Sequence, residues 1–265
     1  MCDLELQGVP PGLLRAGRVV SGTLDALVTH AVPGVSTRAL ATRAAEIIAS
    51  LGGEPAMPEC INPAGTGFDA AACLCLNEEV THAKPSARLL RVGDALTIDV
   101  AARVQGVDGR WHADAARSMV VPGAVATGVR PVRAERIVAA ALAAHEACER
   151  SMRAGVTWGA CAAAARRVAA EAGCRLAVAC AGHGIGRHLH EGVRFGFEET
   201  DGTWDRVLRV GDILTVEPVV CEGLESPVLV ETHDGWTTLE ATGRWSAYRE
   251  TTVAVTATGV VRVAW

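Results

Sequence analysis

The sequence predicts an α+β protein that contains two copies of one structural unit. The motif RVGDALTID, which ends at Asp99, recurs as RVGDILTVE, which ends at Glu217. The motif GVS at residues 34–36 recurs as GVT at residues 155–157, and the copies in both pairs are about 120 residues apart. Val-Gly-Asp alone is a common turn before a strand, but two repeats at matching separations indicate a duplication. Because each copy ends a strand in a carboxylate, a pseudo-two-fold arrangement would bring both acids to one central site.

Helical and strand-like patterns alternate along the chain. The first helix follows the pair Pro10-Pro11 and runs to about His30, and the second follows the N-cap Ser36 and runs to about Ser50. Two alanine-rich segments, 130–153 and 158–172, predict a third and a fourth helix. Apolar runs predict strands at 71–76, 95–104, 111–121, 175–181, 213–221, 228–232 and 246–255.

The composition excludes several classes of protein. The 265 residues are 49% hydrophobic, which is enough to bury the core of one catalytic domain that we expect to span residues 1–265. A formal net charge of -5 leaves no basic footprint for nucleic acid, and no apolar stretch is long enough to span a membrane. The nine cysteines form no Cys-x-x-Cys pair, and the first residues do not resemble a secretory signal. We therefore expect a reduced, cytoplasmic protein.

Two aspartates are expected to be buried on neighbouring strands. Asp99 lies within the apolar run Thr-Ile-Asp-Val, and Asp114 lies in the strand that follows. The turn between them carries Gly106 and Asp108-Gly109, close to the midpoint of residues 99 and 114, so a hairpin would place the two acids nearly opposite each other on one face of the sheet. Carboxylates that close repel each other unless a cation or a proton lies between them. Asp94 and Asp108 belong to turns, and we expect both to be solvated.

A glycine-rich segment, GHGIGRHLH at 182–190, contains three histidines. The glycines on either side of His183 allow close approach of the backbone and leave its imidazole free to point into a site. His190, in the same segment, is a second candidate for that site. We expect His188 to lie on the surface.

Two glutamates complete the candidate site. Glu217 precedes Pro218 inside an apolar run, and Glu250 lies in the segment Tyr-Arg-Glu-Thr-Thr-Val. An acid in an apolar strand is costly to bury unless it is paired or bound to metal. Glu250, beside Arg249, would also fit an exposed strand, so its assignment depends on the other acids. One histidine and four carboxylates suit Mn, Fe, Co or Zn better than they suit a thiolate-bound metal.

Taken together, these motifs identify a family resemblance. From about residue 14 to residue 263, the chain resembles the type I methionine aminopeptidases, which have the pita-bread, creatinase-like fold. The motifs are PGVST at 33–37, LNEEVTH at 76–82, TIDV at 97–100, HAD at 112–114, GHGIGRHLHE at 182–191, TVEP at 215–218, HDGWT at 233–237 and the strand 246–256. The resemblance implies a curved antiparallel sheet that is covered by helices and has an internal pseudo-two-fold duplication.

The resemblance also implies roles for individual residues. Two divalent metal ions would be held by five ligands: Asp99, Asp114, His183, Glu217 and Glu250. His82 and His190 would orient the scissile peptide and stabilise the tetrahedral intermediate, and Glu217 would act as a proton shuttle. The pocket for the methionine side chain would be lined by Phe68, Cys73, Leu189 and Trp236.

Several departures from the family concern the substrate pocket rather than the metal ligands. The hairpin between Asp99 and Asp114 is longer than usual, and Gly192-Val193 stands where the family typically has a proline. Around Glu250, the usual Tyr-Glu-His is replaced by Arg-Glu-Thr, and the loop 62–72 lacks the usual tyrosines. The size and shape of the pocket are therefore the features in which this chain is expected to differ.

The resemblance implies removal of the N-terminal methionine from nascent proteins and peptides whose second residue is small, by water activated at two metal ions. One alternative is a related hydrolase with another substrate: a different aminopeptidase, an Xaa-Pro peptidase, or an enzyme of specialised metabolism or inhibitor resistance. A second alternative is a binding protein that has lost catalysis, which the complete set of ligands disfavours. The expected partners are peptide and nascent-protein N-termini and possible contact with the ribosome surface, and the expected state is a monomer.

Overall fold

The computed structural model describes residues 8–123, 129–200 and 202–265. Its long helices are α1 at Pro11–His30, α2 at Thr37–Ser50, α3 at Val129–Ser151 and α4 at Trp158–Glu171. The four helices expected from the sequence are therefore confirmed, with ends that differ by a residue or two. In the described ranges, no helix combines the length and the apolar character that crossing a membrane requires.

The strands form antiparallel sheets throughout the described residues. The first copy contributes β1 at Glu54–Pro55, β2 at Cys73–Leu76, β3 at Glu79–Thr81, β4 at Ala95–Gly106 and β5 at Gly109–Val120. The second copy contributes β6 at Cys174–Leu176, β7 at Gly182–Gly184, β8 at Glu191–Phe195, β9 at Ile213–Val216, β10 at Val220–Glu222, β11 at Leu229–Glu231, β12 at Thr238–Glu240, β13 at Ser246–Ala247, β14 at Thr251–Val255 and β15 at Val260–Ala264.

The strand orders show one main sheet in each copy. In the first copy the order is β1-β4-β2, with β5 beside β4, and in the second it is β15-β14-β9-β7-β8. Two three-stranded sheets, β13-β10-β6 and β11-β12-β3, complete the described part of the fold. An isolated bridge between Ala116 and Glu250 joins β5 of the first copy to the segment before β14 of the second.

Matching hydrogen bonds confirm that the two copies share a local structure. The backbone N–H of Gly34 donates to the carbonyl of Leu90, and that of Gly155 donates to the carbonyl of Leu208, both at 2.9 Å. The two glycines have φ angles of 88° and 87°, which glycine adopts without strain. The N-cap hydroxyl of each following helix, α2 and α4, accepts a hydrogen bond from its own first turn.

Each copy packs its helices on the outer face of its sheet. In the first copy, Leu13 and Leu24 of α1 belong to one buried cluster with Ile98 of β4. In the second copy, Trp158 of α4 belongs to a buried cluster with Val216 of β9. Because successive residues of a strand face opposite sides, the residues that alternate with these apolar side chains face the other side of each sheet. The candidate site is built on that inner side.

Three of the predicted strands are divided or end early by more than the residue or two that separates the other predictions from the structure. The segment 213–221 is divided between β9 and β10, because Pro218 has no N–H to donate to a ladder. The segment 246–255 is divided between β13 and β14, and Glu250 lies in the gap. Only 174–176 of the segment expected at 175–181 is a strand, because a turn follows at 178–179. Several short strands, and β15, had no counterpart in the prediction.

The prediction that Asp94 is solvated is wrong. Asp94 is buried, and its carboxylate accepts hydrogen bonds from the side-chain amide of Asn77 at 3.0 Å and from the backbone N–H of Arg91 at 2.8 Å. These donors replace water and fix the turn before β4. Asp108 is exposed as predicted, although Arg187 also binds its carboxylate.

Candidate active site

Asp99 and Asp114 project from the same face of the β4–β5 hairpin, as the sequence predicts. The register pairs Asp99 with Ala116 and Asp114 with Ala101, so the two acids are diagonal neighbours rather than nearly opposite. The shift arises because the hairpin turns at 107–108, slightly beyond the midpoint of residues 99 and 114. Diagonal neighbours on one face remain close enough for their side chains to interact.

The glycine-rich segment places His183 opposite the aspartates. Its Nδ1 lies 3.0 Å from the carbonyl oxygen of Gly184, which can only accept, so Nδ1 carries the proton. Nε2 is therefore left with a free lone pair. It lies 3.9 Å from Asp114 Oδ2 and 4.0 Å from Glu217 Oε1. His188 is exposed, as predicted.

The two glutamates come from the interruptions in the strands of the second copy. The hydroxyl of Thr215 donates to Glu217 Oε1 at 3.1 Å and accepts the backbone N–H of His183 at 3.0 Å, so one threonine holds both residues. Glu250 is buried, and its backbone N–H donates to the carbonyl of Ala116 at 3.0 Å. The exposed-strand alternative for Glu250 is therefore wrong.

The four acids alter one another's proton affinity. Burial raises the pKa of Asp99 to about 6 and that of Glu217 to about 8. Burial, together with the charges of neighbouring carboxylates, raises the pKa values of Asp114 and Glu250 well above their usual range. Four such groups cannot all ionise in this volume without a compensating cation or protons.

These residues fit divalent metal ions. Asp99 Oδ1, Asp114 Oδ1 and Glu250 Oε1 are buried and have no hydrogen-bond partner within the described ranges. The ligand atoms of Asp114, His183 and Glu250 all lie within 4.8 Å of one another. Carboxylate oxygens with a single imidazole are suitable ligands for Mn, Fe, Co and Zn. Cations at this position would satisfy the unpaired oxygens and remove the repulsion between the acids.

An apolar pocket lies beside the acids and shares with them a cavity of about 650 Å³. The rings of Phe68 and Trp236 meet edge to face with their centroids 5.2 Å apart. Cys73 and Leu189 are buried in the same apolar cluster as Phe68, and Trp236 packs against it. Cys73 also pairs with Asp99 across the β2–β4 ladder, so a side chain in this pocket would lie next to the acids.

His82 and His190 both line this cavity. The ring of His190 lies 4.3 Å from that of His183, and the ring of His82 lies 6.3 Å from that of Trp236, measured between centroids. His82 has a φ angle of 54°, a strained conformation that is typical of functional sites. Partial burial of the rings lowers the pKa values of both His82 and His190, which favours the neutral imidazole.

The sequence reasoning missed the residues that orient the acids. The hydroxyl of Tyr248 donates to Asp99 Oδ2 at 2.8 Å, and the backbone N–H of Asp114 donates to the hydroxyl of Thr252 at 3.0 Å. Tyr248 is the chain's single tyrosine and, like Thr252, lies two positions from Glu250, which was the available signal. Further cavity or pocket residues that were not predicted are Met57, Cys60, Ile185 and Arg194.

Comparison with known proteins identifies the family to which this site belongs. Residues 12–257 match the profile of metallopeptidase family M24. The chain belongs to this family. Methionine aminopeptidase B of Synechocystis sp. is 31% identical over 247 residues, which cover 93% of this chain and 85% of that protein. The methionine aminopeptidase of Treponema pallidum is 31% identical over 245 residues, which cover 92% of this chain and 89% of that protein.

Solved structures show the same relationship. Methionine aminopeptidase from Rickettsia prowazekii superposes with a TM-score of 0.84 at 25% identity and covers 100% of this chain and 98% of its own. This M24 peptidase therefore has the pita-bread fold, with its internal duplication and with helices outside a curved antiparallel sheet. It is a metal-dependent hydrolase whose cofactors are divalent metal ions.

Proposed function

We propose that this M24 peptidase removes the N-terminal methionine from proteins and peptides whose second residue is small. The observation that carries the proposal is the apolar pocket beside the buried acids, where Cys73 of the pocket pairs directly with Asp99. Methionine is flexible and apolar, and its thioether packs favourably against aromatic rings such as those of Phe68 and Trp236. The two relatives described above, both methionine aminopeptidases, match over most of their length and support the same activity.

The proposed metal ligands are the five residues that converge on the cavity: Asp99, Asp114, His183, Glu217 and Glu250. Asp114 and Glu250 would each offer a metal ion a buried carboxylate oxygen that has no hydrogen-bond partner in the described ranges, and their ligand atoms lie within 4.8 Å of that of His183. Divalent ions in such a site lower the pKa of water and polarise a carbonyl oxygen.

The side chains of the cavity supply positioning and proton transfer. Glu217, which lines the cavity 4.0 Å from His183 Nε2, accepts a proton from the attacking water and delivers it to the departing amine. In their neutral form, His82 and His190 each donate a hydrogen bond to the substrate as negative charge develops on the scissile carbonyl oxygen. Phe68 and Trp236 hold the methionine side chain and exclude water from it.

We also propose that the whole chain acts as one catalytic domain, because both copies contribute ligands: Asp99 and Asp114 from the first, and the other three from the second. Its substrates are nascent-protein and peptide N-termini in the cytoplasm, and it acts as a monomer. The ribosome surface is a further proposed partner.

The test measures free methionine released from Met-Ala-Ser and from matched peptides that begin with Leu, Ala or norleucine. The protein is stripped of metal and reloaded separately with Mn, Co, Fe or Zn. We expect metal-dependent release with a strong preference for methionine, and a loss of about 100-fold or more in kcat for His190→Ala. The matched control is His188→Ala, an exposed histidine of the same segment, which should retain full activity.

The second candidate is a related hydrolase with another substrate, which is favoured by the loop 62–72, because that loop contains no tyrosine and its only aromatic residue is Phe68. Metal-dependent cleavage of peptides with another first residue, or of Xaa-Pro peptides, would overturn the methionine proposal in favour of the related hydrolase. Tight metal binding without hydrolysis of any peptide would instead indicate a binding protein.

A further inference from the structure

Arg194 is a cation on the wall of the cavity that the proposed reaction does not use. It lies in β8, where it pairs with His183 across the β7–β8 ladder, and it lines the cavity together with the segment 179–181. Arg194 is exposed, and its guanidinium donates a hydrogen bond to the carbonyl of Ala179 at 3.2 Å. Within residues 8–123, 129–200 and 202–265, it forms no ion pair with a carboxylate.

A bulge in β8 sets the position of Arg194. The ladder passes from the pair Gly184–Glu191 to the pair His183–Arg194, so β8 contains additional residues at 192–193. Gly192 has a φ angle of 50°, which glycine adopts without strain. Bulges beside active sites characteristically redirect a side chain, and this one brings Arg194 level with the metal-site histidine.

The charge of Arg194 affects the pKa values of the histidines that line the cavity. Burial is the main cause of the lowered pKa values of His82, His183 and His190, and the charge of Arg194 lowers all three further. Arg194 therefore acts on the volume in which the scissile peptide would lie.

A peptide bound at the acids would extend through the cavity that Arg194 lines. If the first side chain occupies the pocket of Phe68 and Trp236, the following residues must extend from the acids towards the open rim. Val193 and Arg194 line the cavity, and Arg194 is exposed. Peptide groups carry no net charge, so a cation without a carboxylate partner favours a substrate that brings a negative group to this point.

We propose that Arg194 binds a carboxylate of the substrate downstream of the scissile bond and makes this peptidase prefer acidic or very short peptides. The inference rests on the proposed function and names a specificity residue for it. The carboxylate can be an Asp or Glu side chain or the free C-terminus of a tripeptide. Both sources present the same planar acceptor to the fork of a guanidinium.

The experiment compares kcat/KM for methionine release from five short peptides. Met-Ala-Asp-NH2, Met-Ala-Asn-NH2 and Met-Ala-Lys-NH2 test the side chain, and Met-Ala-Gly with and without a C-terminal amide tests the terminus. The proteins are the metal-loaded wild type, Arg194→Gln and Arg194→Lys. The matched control is Arg43→Gln, because Arg43 is an exposed arginine of α2 that pairs with Glu46.

The wild type is expected to favour at least one carboxylate peptide over its neutral partner by about three- to fivefold, the range of an exposed ion pair. The ratio of kcat/KM for the carboxylate peptide to kcat/KM for its neutral partner should fall to one in Arg194→Gln. It should be partly retained in Arg194→Lys and unchanged in Arg43→Gln. It should also shrink in high salt. A preference confined to the Asp peptide or to the free C-terminus supports the proposal and identifies the source of the carboxylate.

The two ways of failing are distinguishable. Methionine release with the same ratio in the wild type and Arg194→Gln overturns the role of Arg194 and leaves the proposed function standing. If no peptide releases methionine while a different first residue is cleaved, both proposals are overturned together.

Discussion

Tyr248→Phe is expected to weaken metal binding by about ten- to 100-fold, because one hydrogen bond to a charged group contributes about 1.5–3 kcal/mol and about 1.4 kcal/mol corresponds to tenfold. The hydroxyl of Tyr248 donates to Asp99 Oδ2 at 2.8 Å, and the other carboxylate oxygen of Asp99 has no partner in the described structure. Burial raises the pKa of Asp99 to about 6, and the bond from Tyr248 opposes that rise. Without the hydroxyl the pKa rises further, so a proton competes more strongly with the metal ion.

The assay is a titration of Mn or Co against a chelator of known affinity, at pH 6.5 and at pH 8.5. The loss of affinity should be larger at pH 6.5, where more of the Asp99 carboxyl is protonated. The control is Ser118→Ala, whose hydroxyl donates to the carbonyl of Tyr248 at 2.7 Å and accepts the backbone N–H of Tyr248 at 3.0 Å, but does not donate to the acid. It should cost about 1 kcal/mol of unfolding free energy and leave metal affinity unchanged. Metal affinity of Tyr248→Phe within twofold of the wild type would refute the reasoning.

Three further predictions concern stability, measured by urea unfolding. Burial lowers the pKa of His145 from 6.5 to about 3. Between pH 6.5 and 3 the unfolded chain therefore binds one more proton at this residue than the folded chain does, and the free energy of unfolding falls as the pH decreases. His145→Leu should reduce this dependence of the free energy of unfolding on pH. Burial would raise the pKa of Glu240, but hydrogen bonds from Thr242, Arg244 and the backbone lower it to about 2. Glu240→Gln should therefore lower the free energy of unfolding by about 3 kcal/mol at pH 7. In the wild type, the stabilisation by Glu240 should be lost as the pH falls from 4.5 to 2. Gly17→Ala should cost about 2 kcal/mol, because a Cβ would lie 2.0 Å from a backbone carbonyl oxygen of β15.

Matched measurements separate these predictions from general damage. Gly22 lies in the same helix as Gly17, but its Cβ would meet only a flexible leucine methyl at 3.2 Å, so Gly22→Ala should be stabilising by about 0.5–1 kcal/mol. Equal losses in the two glycine variants would contradict the packing argument. A pH slope that His145→Leu leaves unchanged, or a Glu240→Gln variant as stable as the wild type, would contradict the electrostatic ones.

Local patterns predicted the helices and the main strands well. The alanine-rich segments and the N-cap Ser36 depend on interactions within a few residues, and these are the same in the sequence and in the fold. The repeated motifs indicated the duplication for the same reason, since each copy makes its own turn before its own strand. The interruptions at Glu217 and Glu250 were missed, because an apolar run does not reveal where a strand leaves its ladder.

Burial of polar side chains was predicted less well. Asp94 follows a turn glycine and was expected in water, yet it binds the amide of Asn77, which comes from the β2–β3 connection. Because this partner is distant in the sequence, no local pattern predicts the hydrogen bond. The position of Arg194 also depends on residues that a local pattern does not reveal. A bulge brings it beside His183, and it has no carboxylate partner in the described ranges.

The sequence by itself determined which residue types are available for chemistry: acids in apolar strands, a histidine between glycines, and two related copies that contribute to one set. Those features follow from the cost of burying a charge without a partner, which holds in any fold. Only the tertiary structure decided that the ligand atoms of Asp114, His183 and Glu250 lie within 4.8 Å of one another, that Tyr248 orients Asp99, and that an apolar pocket adjoins these residues. These relations join strands that are far apart in the chain, and their geometry is set by the packing of the two sheets rather than by neighbours in sequence.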